Sequence, residues 1–210
     1  MIIKQTEMFD IWKKFNRDNN YRFAYDLNEH SIVFDLGGYK GEWAEKISQM
    51  YLCEIHIFEL CEQFYTNIKN KFADNYKIKI NNFGLSNCTK ETLLYIDNDK
   101  TTIHYDNIIF NNDNPIISGK AKLIDFFDYI MEHKIDHIDL MKVNIEGEEY
   151  NLMEYILENN YVNNIRNIQI QFHANVENYL ERMITIQNKL RNTHVQTYCF
   201  PTIWENWSLR

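Results

Sequence analysis

The chain has 210 residues, enough for one ordinary domain with a sizeable buried core. Its 30 acidic side chains outnumber 22 basic ones, and the net charge of −8 argues against a nucleic-acid phosphate backbone as the main partner. No apolar run approaches the ~20 residues of a transmembrane helix. Cys53, Cys61, Cys88 and Cys199 form no CxxC pair and no zinc-finger spacing with histidine, and the first residues lack the basic start and apolar core of a signal peptide. The expectation is a soluble, cytoplasmic protein with reduced thiols.

Met8, Ile11, Trp12 and Phe15 recur at helical spacing, so residues 5–26 read as a leading helix and 1–30 as an N-terminal helical segment. The first strand is Ser31 to Leu36. Glycines at 37, 38 and 41 follow it, and Trp43, Ile47, Met50 and Tyr51 then mark one face of a helix. Strand two is Glu54 to Phe58, a helix follows through Phe64, Ile68 and Phe72, and Lys77 to Ile80 is strand three. Thr92 to Ile96 reads as a short strand. The Asn- and Asp-rich stretch 97–119, with His104, Tyr105 and Phe110, reads as a long loop over the active site. Lys122 to Met131 is predicted helical, His137 to Ile145 a strand, Glu148 to Leu157 a helix, and Ile165 to Phe172 a strand. A helix from Val176 to Leu190 precedes a closing hairpin, Val195 to Phe200 and Ile203 to Leu209. Alternation of this kind predicts an α/β fold, a mostly parallel sheet with helices on both faces, over one domain spanning 31–210.

Ligands of open α/β sheets bind beyond the carboxyl ends of the strands. Those ends carry Asp35, Glu59, Asn82, Asn144 with Glu146, and His173. A strand feeding a glycine turn and a helix N-terminus is a nucleotide-type cofactor site. Asp35 before the glycines disfavours a pyrophosphate and suits a ligand with a cationic end, such as S-adenosylmethionine. Glu59, 24 residues on, is placed to accept ribose hydroxyls. His133 and His137 straddle a helix end and a strand start, so no metal site is expected there.

Asp35-Leu-Gly-Gly-Tyr-Lys-Gly-Glu42 resembles motif I of class I S-adenosylmethionine-dependent methyltransferases. Phe58-Glu-Leu-Cys-Glu-Gln-Phe64, Asn82-Phe-Gly-Leu-Ser86 and Leu140-Met-Lys-Val-Asn-Ile-Glu-Gly-Glu-Glu149 follow in order. Together they resemble the FkbM family of methyltransferases, over about residues 30–175. The resemblance implies a single-domain Rossmann-like sheet of seven strands with the last antiparallel. It also implies O-methylation of hydroxyls on sugars, lipids or natural products. It places Asp35, Gly37 and Gly41 around the methionine moiety, Glu59 at the ribose, and Asn82 to Ser86, with Gly84, near adenine. Gly38 and Leu60 are further cofactor-binding candidates, although Leu60 and Cys61 replace the family's usual Pro-x after the acid. Asn144 stands where the family has Asp, beside the transferred methyl. An amide is no base and a poorer ligand for a hard cation.

A sugar hydroxyl is a weak nucleophile and benefits from a positioned base. His173 is the first candidate, with an ordinary pKa suited to neutral pH, and Glu146 the second. Glu146 alternatively supplies charge at a helix N-terminus. Lys142 pairs with a carboxylate or packs its stem. Trp204 and Trp207 read as packing residues. The partner is a small-molecule or glycan acceptor. The competing readings are an NAD-dependent oxidoreductase and a non-catalytic, cofactor-binding partner of another methyltransferase.

Overall fold

The computed structural model describes residues 5–15, 21–97, 100–104, 116–174 and 176–210. Seven strands form the main sheet: β1 Ile32–Leu36, β2 Glu54–Phe58, β3 Ile78–Asn81, β8 Leu140–Val143, β9 Asn167–Ile170, β10 His194–Phe200 and β11 Trp204–Leu209. Their spatial order is β10-β11-β9-β8-β1-β2-β3, and β11 alone runs antiparallel to its neighbours. This is the expected seven-stranded, mostly parallel α/β sheet with its closing hairpin.

The central strands are apolar on both faces because helices cover both. On one face Val33, Ile55 and Ile57 pack against Trp43 and Ile47 of α2 Glu42–Tyr51 and Ile68 of α3 Glu62–Lys71. On the other, Phe34, Leu36 and Phe58 meet Phe126 and Tyr129 of α4 Phe126–His133 and Tyr150 of α5 Glu149–Glu158. α6 Tyr179–Leu190 packs beside α5. Strand alternation puts Asp35 on the face of Val33, toward α2. Trp207 is fully buried and Trp204 is 7% exposed, so both pack as expected.

The N-terminal segment and the middle of the chain depart from the sequence pattern. The leading helix α1 Gln5–Phe15 ends well before residue 26, and residues 21–28 run without helix. Trp12 docks on Phe200, Ile203 and Trp204. Between β3 and α4 the described residues form a second sheet, where the sequence pattern offered one strand. Its strands are β4 Gly84–Ser86, β5 Lys90–Asp97, β6 Lys100–Thr102 and β7 Ile116–Asp125, in the order β4-β7-β5-β6. The predicted helix from Lys122 therefore begins only at Phe126. Asp125 caps it, accepting from the N–H groups of Phe127 and Asp128. Tyr105 and Phe110 of the predicted loop lie outside the described residues. Among the described residues no helix is long and apolar enough to cross a membrane.

Candidate functional site

The carboxyl edge of the main sheet is built around the turn after β1. Gly37 has φ +83, and a Cβ there would lie 2.0 Å from the Asn144 carbonyl oxygen, so only glycine fits. The Gly37 and Gly38 N–H groups both donate to the Phe58 carbonyl, at 3.0 and 3.1 Å, which ties the turn to the end of β2. Gly41, with φ +72, starts α2.

Asp35 is fully buried, and its Oδ1 accepts from Lys142 Nζ at 2.8 Å. The same ammonium donates to the Gly37 carbonyl at 2.7 Å. Asp35 is absent from the walls of both neighbouring cavities, one on each side of the turn. Asp35 meets the Lys142 cation through Oδ1 and through it braces the turn, while its buried Oδ2 has no partner among the described residues.

A cavity of about 250 Å³ opens beside Gly37. Glu59 forms part of its wall and is 4% exposed. Its Oε2 accepts the Tyr39 N–H at 2.7 Å and its Oε1 the Cys61 N–H at 2.9 Å. Burial raises its pKa, and those two backbone donors only partly offset the effect. Leu60, Leu85 and Leu123 make an apolar slot on one side. Gly84 belongs to the same wall, where a Cβ would meet Leu123 Cδ2 at 2.9 Å. Thr101 and Ile103, from and just after β6 and within the segment 97–119, also line the cavity.

Asn144, Glu146 and Glu148 also line the cavity. Asn144 Oδ1 is buried and has no hydrogen-bond donor among the described residues. The segment after β8 turns sharply, with φ +51 at Glu146 and +115 at Gly147. Two histidines grip it. His173 Nδ1 lies 3.0 Å from Glu149 Oε1, and its Nε2 lies 3.3 Å from Glu146 Oε1. Burial alone would lower the His173 pKa, but Glu149 and Glu146 outweigh it and push the value up to about 10. The two carboxylates thus favour the imidazolium form of His173 and disfavour it as a ready proton acceptor. His104 Nε2 sits 2.9 Å from Glu148 Oε2, while Ser86 donates to Glu148 Oε1. Burial would raise the Glu148 pKa, and these two partners hold it lowered instead.

The residues expected near a cofactor thus separate. Gly37, Glu59, Leu60, Gly84, Asn144 and Glu146 line the cavity. Lys142 and Asp35 lie beneath the turn, and Ser86 supports Glu148 from behind. Asn82 points elsewhere: its amide donates to Glu62 on α3, because the chain turns from β3 into β4 just after it. Glu148, Glu149, Leu85 and Leu123 were not singled out. Three glutamates within four residues gave the signal for the first two, since helix-starting acids seldom sink below 4% exposure unless something holds them.

No protein-family model matches the chain, and no curated protein matches it. Solved structures do. An rRNA-methylase candidate from Clostridium thermocellum aligns over 100% of this chain and 98% of its own, at 9% identity and a TM-score of 0.53. An rRNA methylase from Streptococcus thermophilus aligns over the same shares, at 12% identity and a TM-score of 0.49. The first match, running end to end, agrees with the strand order: the chain has the Rossmann-like α/β fold of class I methyltransferases.

Proposed function

We propose that the protein is an S-adenosylmethionine-dependent methyltransferase that methylates a hydroxyl of a small-molecule or sugar-containing acceptor. Glu59 carries this assignment. Its buried carboxylate is held by two backbone N–H groups beside the glycine turn, between a leucine slot and the unpartnered Asn144 Oδ1. Each carboxylate oxygen keeps a lone pair for a ribose hydroxyl. Leu60, Leu85 and Leu123 suit the faces of a nucleobase, and Asn144 Oδ1 suits an ammonium donor. These residues fit the nucleoside and amino-acid parts of S-adenosylmethionine, whose sulfonium supplies an electrophilic methyl when bound.

Glu146 is our candidate for taking the hydroxyl proton. It lines the cavity, whereas Asn144 has no basic atom and the raised pKa of His173 disfavours it as an acceptor. His173 positions Glu146 and Glu149, and Gly147, whose N–H bonds Glu149 at 2.8 Å, lets the chain make that turn. The hydroxyl acceptor follows from the resemblance of the ordered motifs to the FkbM family, and the net charge of −8 favours a small acceptor over RNA.

Calorimetric titration with S-adenosylhomocysteine tests the cofactor: saturable binding by wild type, weakened in Glu59→Ala, is expected. No binding at millimolar ligand would overturn it. With binding established, Glu146→Gln is expected to keep cofactor affinity and lose turnover on any acceptor that wild type methylates.

A further inference from the structure

Across the Gly37–Gly38 turn lies a second cavity, of about 370 Å³, which shares Gly37, Tyr39 and Asn144 with the first. Its chemistry is opposite to the rest of this acidic chain. Four cationic side chains, Arg22, Lys40, Lys46 and Lys142, line it against one carboxylate, Glu42. Lys142 is committed to Asp35. Arg22 and Lys46 are different. Arg22 lies over the Trp204 ring at 4.1 Å and gives its Nε to Gln169, while Lys46 lies over the Phe23 ring at 4.1 Å. Among the described residues, neither forms an ion pair with a carboxylate. Burial lowers the Arg22 pKa, with Tyr198, Asp35 and Tyr25 opposing. Trp43 is 7% exposed and lines the same cavity, and its indole N–H has no acceptor among the described residues. Two cations without an ion pair among the described residues and an idle donor therefore line one aromatic-walled space.

We propose that this cavity is an oxyanion subsite for the methyl acceptor, in which Arg22, Lys46 and the Trp43 N–H hold a carboxylate or phosphate group carried by that acceptor. The assignment rests on the methyltransferase reading above. A planar guanidinium forks onto either oxyanion, and a desolvated charge-assisted bond is the strong kind. Phe23 and Trp204 add apolar wall for the carbon skeleton beside the charged group, and 370 Å³ is more room than a lone carboxylate fills. Asn144, common to both cavities, then stands between the nucleoside side and the acceptor side.

The test uses the full chain and inorganic phosphate, with acetate as a second probe, at constant ionic strength. The Trp43 indole N–H signal in a ¹H–¹⁵N spectrum, assigned by its loss in Trp43→Phe, reports occupancy. It is expected to shift saturably with phosphate, both in free protein and in protein saturated with S-adenosylhomocysteine. Arg22→Gln and Lys46→Gln should each weaken phosphate by roughly tenfold, the scale of one charge-assisted bond, with backbone spectra and S-adenosylhomocysteine affinity retained. An unmoved Trp43 signal would overturn the subsite. Competition between phosphate and S-adenosylhomocysteine, with Arg22→Gln weakening both alike, would overturn the acceptor assignment, because the anion would then be the cofactor's own carboxylate. Phosphate binding with no S-adenosylhomocysteine binding at all would overturn it too, by removing the reading it rests on, and the shifted Trp43 signal distinguishes that failure from the first.

Discussion

The Lys142 ammonium lies 2.8 Å from Asp35 Oδ1 and 2.7 Å from the Gly37 carbonyl, so one buried ion pair also braces the glycine turn. Asp35 is fully buried and Lys142 is 4% exposed. Removing one member of such a pair strands the other charge in a low dielectric, whereas replacing both with apolar groups of similar size is far milder. Asp35→Asn and Lys142→Met are each expected to lower stability by about 3–5 kcal/mol, and the double variant to lose less than the sum. Urea unfolding of the four proteins measures the cycle, and a double variant as unstable as the added singles would contradict the coupling.

Gly37→Ala is expected to act on the same turn by a different route. The new Cβ would meet the Asn144 carbonyl oxygen at 2.0 Å, and the φ of +83 disfavours any side chain. Backbone strain of this kind costs of order 1–3 kcal/mol before the clash is counted. The turn must open away from β8, which displaces the N–H groups it directs at Phe58. Thermal unfolding should show a clear loss of stability, and S-adenosylhomocysteine titration a loss of affinity larger than that for Asn82→Ala, whose side chain turns toward Glu62.

The main sheet was legible because its strands obey simple rules. Val33, Phe34 and Leu36 form a short apolar run that ends at glycines, and Trp43, Ala44 and Ile47 mark the buried face of the next helix. The inserted sheet was not. In β7 the alternation is plain once the partner is known: Ala121 and Leu123 are buried while Lys120 and Lys122 reach outward. Leu123 also sits three residues before Phe126 and seven before Ile130, so the same letters fit a helix. The pairing of β7 with β5 decides between them, and that contact is remote in sequence. The Asp35–Lys142 pair was hidden for a related reason. A carboxylate before a glycine turn looks available to a ligand until a neighbouring strand brings Lys142 beneath it, a pairing set by the β1–β8 register of Asp35 against Lys142.

Two buried histidines shape stability against pH in opposite directions. His56 has its Nδ1 2.7 Å from the Tyr129 hydroxyl and its Nε2 2.7 Å from Glu54. Burial takes its pKa down to about 4, with Glu54 opposing. An unfolded histidine titrates near 6.5, so the unfolded chain binds this proton first, and stability falls as pH drops from about 6.5 toward about 4. For His173 the folded value, about 10, lies above the unfolded one. Its contribution is complete below about 6.5 and is lost as pH rises toward about 10. Unfolding midpoints in urea should therefore peak near neutral pH. His173→Gln should flatten the alkaline limb and leave the acid limb in place.

Glu59 links its two backbone donors to cofactor affinity. Its carboxylate has one oxygen for Tyr39 and one for Cys61, and both N–H groups lose a charged acceptor in Glu59→Gln. A glutamine keeps the volume, but its NH₂ must face one of those donors. A hydrogen bond to a charged group is worth about 1.5–3 kcal/mol, so S-adenosylhomocysteine affinity should fall by roughly tenfold to a hundredfold. The pH dependence separates this effect from simple loosening of the turn. Ribose hydroxyls need the ionised carboxylate as acceptor, and burial holds the Glu59 pKa above the ordinary value. Wild-type affinity should thus begin to fall, on acidification, at a higher pH than the ~4.3 of a free glutamate. In Glu59→Gln, which has nothing to titrate at this position, that limb should be absent. A Gln variant that retains the same acid limb would show that another group sets it and would remove Glu59 from the ribose.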